Sequence, residues 1–290
     1  MASSDDLENP ALIDEGPTRA RLGKPLAPLI LVHDGGGTTF SYHCLEPINR
    51  PLYGIQNVHL HQGGYWEGGV PEIASHYIGL LAKTLPDGGD ILLGGWSFGG
   101  LLSLEMAHQI AAAPPPAPGQ PRFRVLGMIF IDSVYPRHLL QDGTARPEAV
   151  GTAATVPEKP IVKSAEELQA MKLKEKVDLN MTHARMMARR WVLPRWEKEK
   201  GGSSVSIPIP PTILLRAKEN VESESHVFVD HSREYRMLGW EKYQEQLGRK
   251  FIEEVVDVEG HHFSLFEFDK IPEISEQIRA AADTLDEPVF

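Results

Sequence analysis

The chain has 290 residues, 41% of them hydrophobic and 24% charged, and a formal net charge of -11. That length suits one large α/β domain carrying an insertion, and the acidic balance argues against a nucleic-acid partner, which would need concentrated lysine and arginine. A single cysteine, Cys44, excludes an internal disulfide and a cysteine-built metal site and fits a reducing compartment.

The opening MASSDDLENPALIDEG is acidic where a secretion signal is basic and then apolar, and no run approaches the roughly 18 apolar residues of a membrane helix. A cytoplasmic protein with no membrane partner is therefore expected. Residues 1 to about 24 show no periodicity and read as a loose tail. Residues 27–32 form a buried strand that runs into His33-Asp34-Gly35-Gly36-Gly37-Thr38-Thr39. Glycines directly after a strand let backbone N–H groups approach a ligand closely; a phosphate-cradling loop would need a Lys-Ser/Thr ending that is missing here. A further strand is expected over 51–56. Next comes a helix over 70–85, with Ile73, Tyr77, Leu80 and Leu81 on one side.

The stretch from Asp90 to Ile110 organises the rest. Ile91-Leu92-Leu93 reads as a strand, Gly94 to Gly100 as a sharp turn, and the following residues as a helix. The spacing Gly95-x-Ser97-x-Gly99 suits a nucleophile: a tight strand-to-helix turn projects the serine clear of the backbone, and side chains two residues either side would collide with that turn. The helix start adds free N–H groups and a positive dipole end beside the serine. The N–H of Phe98, with that of Gly35 or Gly36, is the expected oxyanion hole. A Gly-rich turn with an incidental serine is the plain alternative.

Residues 124–131 form another apolar strand, ending at Asp132-Ser133-Val134-Tyr135-Pro136. Uniformly apolar strands alternating with helices imply a mainly parallel sheet with helices on both faces, and ligands then bind beyond the carboxyl ends of the strands. Residues 137–204 break the pattern, dividing the core into 25–136 and 205–290. They read as an inserted helical lid with no clear strand and a helical stretch from Ser164 to about Trp191. From Lys163 to Lys200 there are ten lysines and arginines against six acids, a local charge of +4. Methionines at 171, 181, 186 and 187 suit either a surface adapting to varied acyl chains or plain packing on the core. The sheet resumes over 209–216. A polar loop over 217–240 ends in Leu238-Gly239-Trp240, expected against the insertion, and a last strand over 252–258 leads into Gly260-His261-His262-Phe263-Ser264. A closing helix spans 271–285.

A serine nucleophile needs a base of near-neutral pKa, and in this layout the histidine follows the last strand. Spacing leaves both His261 and His262 open. The orienting acid is Asp132, directly after its strand, or Glu219 after the 209–216 strand; Asp132 is preferred, with a turn cap as its simpler role.

Gly-Trp-Ser97-Phe-Gly-Gly, the strand-Asp132-Ser-x-Tyr-Pro step and Gly-His-His262-Phe-Ser-Leu together resemble the thioesterase domains of polyketide synthases and non-ribosomal peptide synthetases, especially the fungal type. The His33-Asp34-Gly-Gly-Gly-Thr loop and Leu238-Gly239-Trp240 are similar too, so the resemblance covers most of residues 27 to 285. It implies an α/β-hydrolase fold, with Asp132 as the acid and His262 as the base. It also implies an acyl chain carried as a thioester on the phosphopantetheine of an acyl carrier protein, passed to Ser97 and then to water, an internal hydroxyl or amine, or another acceptor. Neither cofactor nor metal is implied. With no carrier or synthase module attached, the chain is expected to act in trans, and an acidic carrier would dock on the basic segment holding Arg185, Arg189, Arg190 and Arg195. A carboxylesterase or lipase would share every catalytic residue and differ in pocket and lid. A non-catalytic relative used for binding would need none of the three.

Overall fold

Each apolar run of the sequence sends alternate side chains to opposite faces of a sheet that is covered on both sides. The computed structural model describes residues 8–17, 26–114, 117, 119–136, 157–200, 203–222 and 228–287. In chain order the elements are β1 (Ala11–Asp14), β2 (Leu29–Val32), α1 (Phe40–His43), β3 (Leu52–Ile55), α2 (Gly69–Thr84), β4 (Gly89–Trp96), α3 (Phe98–Ala112), β5 (Phe123–Ile131), α4 (Ala165–Ala170), α5 (Leu173–Arg190), β6 (Glu197–Lys200), β7 (Ser203–Ser206), β8 (Thr212–Glu219), α6 (Trp240–Leu247), β9 (Ile252–His261) and α7 (Ile271–Asp286). Seven strands make one sheet in the order β1-β3-β2-β4-β5-β8-β9. Every pairing in it is parallel except that of β1 with β3. This is the α/β-hydrolase type of layout, with the β4–α3 junction near the middle of the sheet.

The alternation is visible in the two cores. Ile30, Val32, Leu93, Met128 and Phe130 face α2 and α3, where Ile73, Tyr77, Leu81, Leu102 and Met106 cover them. Leu29, Leu31, Leu92, Ile129 and Ile131 face the other side, covered by α7 through Ile274, Ile278, Ala282 and Leu285. The buried positions of α7, from Ile271 through 274, 275, 278, 281 and 282 to Leu285, recur at three- and four-residue intervals. They form one apolar stripe in which each large side chain contributes about 1.5–3 kcal/mol.

Two expectations need correcting. Within the supposed loose tail, residues 11–14 form β1 and pair with β3. The Asn9 amide exchanges two hydrogen bonds with the backbone of Gln56. Gly54 makes room for this strand, since a Cβ there would lie 2.8 Å from Ile13 Cδ1. Four residues are too few to show a period, so sequence pattern could not reveal it; residues 1–7 and 18–25 lie outside the described residues. The insertion holds two helices and the antiparallel β6–β7 hairpin. α4 begins at a capping box in which Ser164 and Glu167 bond each other's backbone N–H, while residues 137–156 of the insertion are outside the described residues. Trp240 packs against Phe130, Tyr135 and Phe251 and donates its indole N–H to Ser133 O at 2.7 Å. It therefore sits on the segment after β5, within the same apolar cluster as Trp191 and Trp196 of the insertion, and its neighbour Tyr243 accepts a bond from Trp196. Among the described residues no helix is long and apolar enough to cross a membrane.

The turn between β4 and α3 seats backbone on backbone. A Cβ on Gly99 would lie 2.3 Å from Val32 O and 2.8 Å from His33 O. Gly99→Ala is thus expected to lower stability by about 1–3 kcal/mol or more, because neither carbonyl can leave β2 and its following loop. Urea denaturation checks this, and a midpoint equal to wild type would contradict the close packing.

Candidate active site

Ser97 is the single residue between β4 and α3. Its φ of 56° and ψ of -115° are unusual for a residue with a Cβ, a local strain of the kind that clusters at functional turns. The surroundings over-determine the position. Ser97 N donates to Ile131 O at 2.9 Å. Just before it, Trp96 N donates to the Tyr42 hydroxyl at 2.9 Å, and Tyr42 donates onward to Val32 O at 2.7 Å. Tyr42 therefore ties the ends of β2 and β4 together beneath the serine, a role that nothing in its sequence context announced.

Asp132 follows β5 directly and is fully buried. Its φ of 45° turns the chain at once, and its N–H donates to Leu215 O at 2.7 Å. Four donors converge on its carboxylate. Oδ1 accepts from Ala217 N at 2.9 Å and Arg233 Nη1 at 2.5 Å, while Oδ2 accepts from Arg233 Nη2 at 2.8 Å and His262 Nδ1 at 2.7 Å. Burial pushes this carboxyl's pKa up, but the bonds from Arg233 and His262 outweigh it and hold the value at about 2. Arg233 is itself buried and braced by Asp230, 3.6 Å from its Nε. Sequence reasoning missed it; an Arg inside a polar loop gives no sign that it turns inward to a strand end.

His262 Nε2 lies 3.1 Å from Ser97 Oγ. An ionised Asp132 can only accept, so Nδ1 carries the proton and Nε2 is left to accept from the serine. The loop holding His262 is pinned by Ser264: its hydroxyl accepts from His261 N at 2.9 Å, and its N–H donates to His261 O at 2.9 Å. The structure thus brings Ser97, His262 and Asp132 together. His261 instead turns its Nδ1 to the Phe263 N–H at 3.2 Å, and Glu219 is exposed at the end of β8.

The glycine loop lies beside the serine. The Gly36 N–H donates to Asp34 Oδ1 at 3.0 Å, which leaves Gly35 as the better placed of the two expected donors. Among the described residues neither the Gly35 nor the Phe98 N–H has an acceptor. His33 anchors the loop, donating from Nδ1 to Asp34 O at 2.5 Å and accepting from the Tyr77 hydroxyl at 2.7 Å. Burial pushes its pKa down to about 4, so it stays neutral near pH 7. Burial also raises Asp34 to about 6, against the opposing pull of the Gly36 N–H and the nearby His262.

These groups open onto a pocket of about 630 Å³ of empty space including its mouth, walled by apolar residues such as Leu101, Val134, Met181, Ala188, Val229 and Phe263. Of the methionines in the insertion, Met181 faces this pocket, whereas Met186 and Met187 are buried. Among the described residues no group of three or more His, Cys, Asp or Glu side chains is arranged to hold a metal ion.

Strand order, elbow and hydrogen-bonded serine, histidine and aspartate define a hydrolase of the α/β type. The chain belongs to the thioesterase domain family, whose model matches residues 27–282. It is 37% identical over 287 residues to thioesterase frbE of Dothideomycetidae sp. (strain 11243), covering 98% of both chains. It is 35% identical over 289 residues to thioesterase AMT4 of Alternaria alternata, covering 99% of this chain and 97% of that one. Among solved structures it shares its fold with the NocB thioesterase domain in covalent complex with a fluorophosphonate nocardicin G analog. The TM-score is 0.58 at 23% identity, over 88% of this chain and 94% of that chain.

Removing Arg233 would leave the buried Asp132 carboxylate without its bidentate partner, a change expected to cost about 3–5 kcal/mol. Arg233→Gln should therefore be less stable than the double variant Asp132→Asn/Arg233→Gln, which buries no charge there. A second measurement follows from the lowered pKa. Such a carboxylate stabilises the fold above its ordinary pKa of 3.8, and that contribution disappears as pH falls towards about 2. The stability gap between wild type and Asp132→Asn, read from urea midpoints, should narrow across that window; a constant gap would contradict the assigned environment.

Proposed function

We propose that this protein is a thioesterase that takes a polyketide or peptidyl acyl chain from the phosphopantetheine thioester of a carrier protein and releases it through Ser97. The observation that carries the reading is the continuous bond from Asp132 through His262 to Ser97, opening onto an apolar pocket. The thioesterase names of the relatives supply the substrate bond.

In the first step Ser97 Oγ attacks the thioester carbonyl while His262 Nε2 takes the hydroxyl proton. Negative charge gathers on the former carbonyl oxygen, towards the Phe98 and Gly35 N–H groups and the start of α3. Collapse expels the pantetheine thiol, which receives the proton from His262. In the second step an acceptor, whether water, a hydroxyl or amine of the acyl chain, or another nucleophile, gives its proton to His262 and takes the acyl group, and His262 returns that proton to Ser97 Oγ as the ester bond breaks. Asp132 holds the working tautomer and stabilises the imidazolium in both steps.

An esterase would use the same residues. The two are separated by comparing an acyl-pantetheine thioester with its matched oxygen ester: the thioester should have the higher kcat/KM, and equal or reversed values would favour the esterase reading. Within the thioester assay Asp132→Asn should lose roughly 10⁴ in kcat, while Glu219→Gln should stay near wild type. An inactive Glu219→Gln would move the acid to the later strand.

The basic segment is the proposed carrier dock. Arg189, at the end of α5, and Arg195 are exposed, while Arg190 reaches back to Glu158 O. Arg185 is set apart from this rim because it lines the pocket. A rim contact of this kind acts mainly on encounter rate and is screened over about 8 Å at physiological ionic strength. Arg189→Glu/Arg195→Glu should raise the apparent KM for a carrier-bound acyl chain several-fold without affecting a free pantetheine thioester. Equal effects on both substrates would contradict the dock.

A further inference from the structure

On α5, Met181, Ala184, Arg185 and Ala188 all line the catalytic pocket. They fall at positions i, i+3, i+4 and i+7, so they share one face of the helix. That face lies against the glycine loop: a Cβ on Gly35 would sit 3.6 Å from Ala184 Cβ and 3.8 Å from Met181 Cα. Three of the four residues are small or apolar, as a face turned towards an acyl chain should be. The fourth is an arginine.

Arg185 is half-buried. Of its neighbours along the helix, Arg190 bonds a backbone carbonyl, His183 bonds Gly63 O and the Ile161 N–H, and Arg189 is exposed to solvent. No carboxylate and no carbonyl among the described residues pairs with the Arg185 guanidinium. The other titratable groups on the pocket wall are Asp34, whose Oδ1 accepts the Gly36 N–H, and His262, which lies between Asp132 and Ser97; neither is paired with Arg185. A guanidinium is a planar fork of donors with no acceptor, weakly hydrated for a cation and matched to two oxygens of a carboxylate or phosphate. On a mostly apolar wall beside a nucleophile, such a group selects for an anion on the substrate.

We propose that Arg185 is a specificity residue that pairs with an anionic group, a carboxylate above all, on the acyl chain bound for Ser97. The inference rests on the thioesterase reading and adds a substrate class to it: acyl chains that carry an acid beyond the thioester carbonyl. The same chemistry is present in the phosphate of the phosphopantetheine arm. The acyl chain is the favoured source because Arg185 and Ser97 line one pocket, whereas the arm's phosphate is separated from the thioester by the whole pantetheine chain.

The test uses the full-length protein and pantetheine thioesters in matched pairs: adipoyl, suberoyl and sebacoyl chains against neutral chains of the same heavy-atom length. The quantity read is the ratio of kcat/KM for the acidic chain to that for the neutral one. Binding of the matching non-hydrolysable thioethers by calorimetry supplies a readout independent of turnover. For the acid that reaches Arg185, the ratio should fall about 10- to 100-fold in Arg185→Gln, the value of a charge-assisted pair, and Arg185→Lys should restore part of it. A ratio equal in wild type and Arg185→Gln would overturn the proposal and leave Arg185 as a solvated helix residue. If instead the response is confined to a neutral acyl chain on 4′-phosphopantetheine compared with pantetheine, the anion is the arm's phosphate and the acyl assignment is wrong. Failure of wild type to turn over any of the thioesters would count against the thioesterase reading, and the thioether binding ratio would still decide the role of Arg185.

Discussion

The buried carboxylate of Asp132 is the constraint on which the site depends. It sits where a charge is costly to bury, and four donors from three separate parts of the chain converge on it. Ala217 belongs to β8, Arg233 to the segment after it, and His262 to the loop after β9. Each donor ties its own element to the end of β5. Together they fix the last third of the molecule relative to the nucleophile, and they hold the imidazole in the tautomer that leaves Nε2 facing Ser97. An unpaired charge in this position would be strongly destabilising, so the same contacts that orient the histidine also hold the fold together.

The opposite wall is built by close packing. Glycines at 95 and 99 let the first turn of α3 sit against the carbonyls that end β2, and Tyr42 bridges β2 and β4 just below. The strained serine and the glycine loop therefore belong to one rigid corner. Polar groups here are almost all engaged: His33 by Tyr77 and Asp34, Asp34 by Gly36. The Phe98 and Gly35 N–H groups, which have no acceptor among the described residues, are the pair that the proposed mechanism assigns to a developing oxyanion. Preorganised donors of this sort need no rearrangement when charge appears.

Much of this was legible in the chain because its signals are local. The apolar runs that became β2, β4, β5, β8 and β9 are marked by composition, and the Gly-x-Ser-x-Gly turn by steric need. Position at a strand end already favoured Asp132 over Glu219, and the family resemblance then singled out His262, where spacing alone left His261 open. What escaped was non-local or short. Arg233 reaches Asp132 across 101 residues, and Tyr42 reaches Trp96 across 54; neither has a pattern around it. β1 is four residues long and owes its place to Gly54 on its partner. The β6–β7 hairpin pairs the segments EKEK and SSVS, so no hydrophobic period marks it. Arg185 was read with the other arginines of a basic segment, and only the helix phase separates it from them, placing it with Met181, Ala184 and Ala188.

The central claim is that release proceeds through a covalent acyl group on Ser97. Intact-protein mass spectrometry after rapid mixing with an acyl-pantetheine thioester tests it most directly. The account predicts a transient mass increase equal to the acyl group less one hydrogen, mapped by peptide analysis to Ser97 and decaying as product appears. Product formation without any such adduct, or an adduct located on another residue, would contradict it.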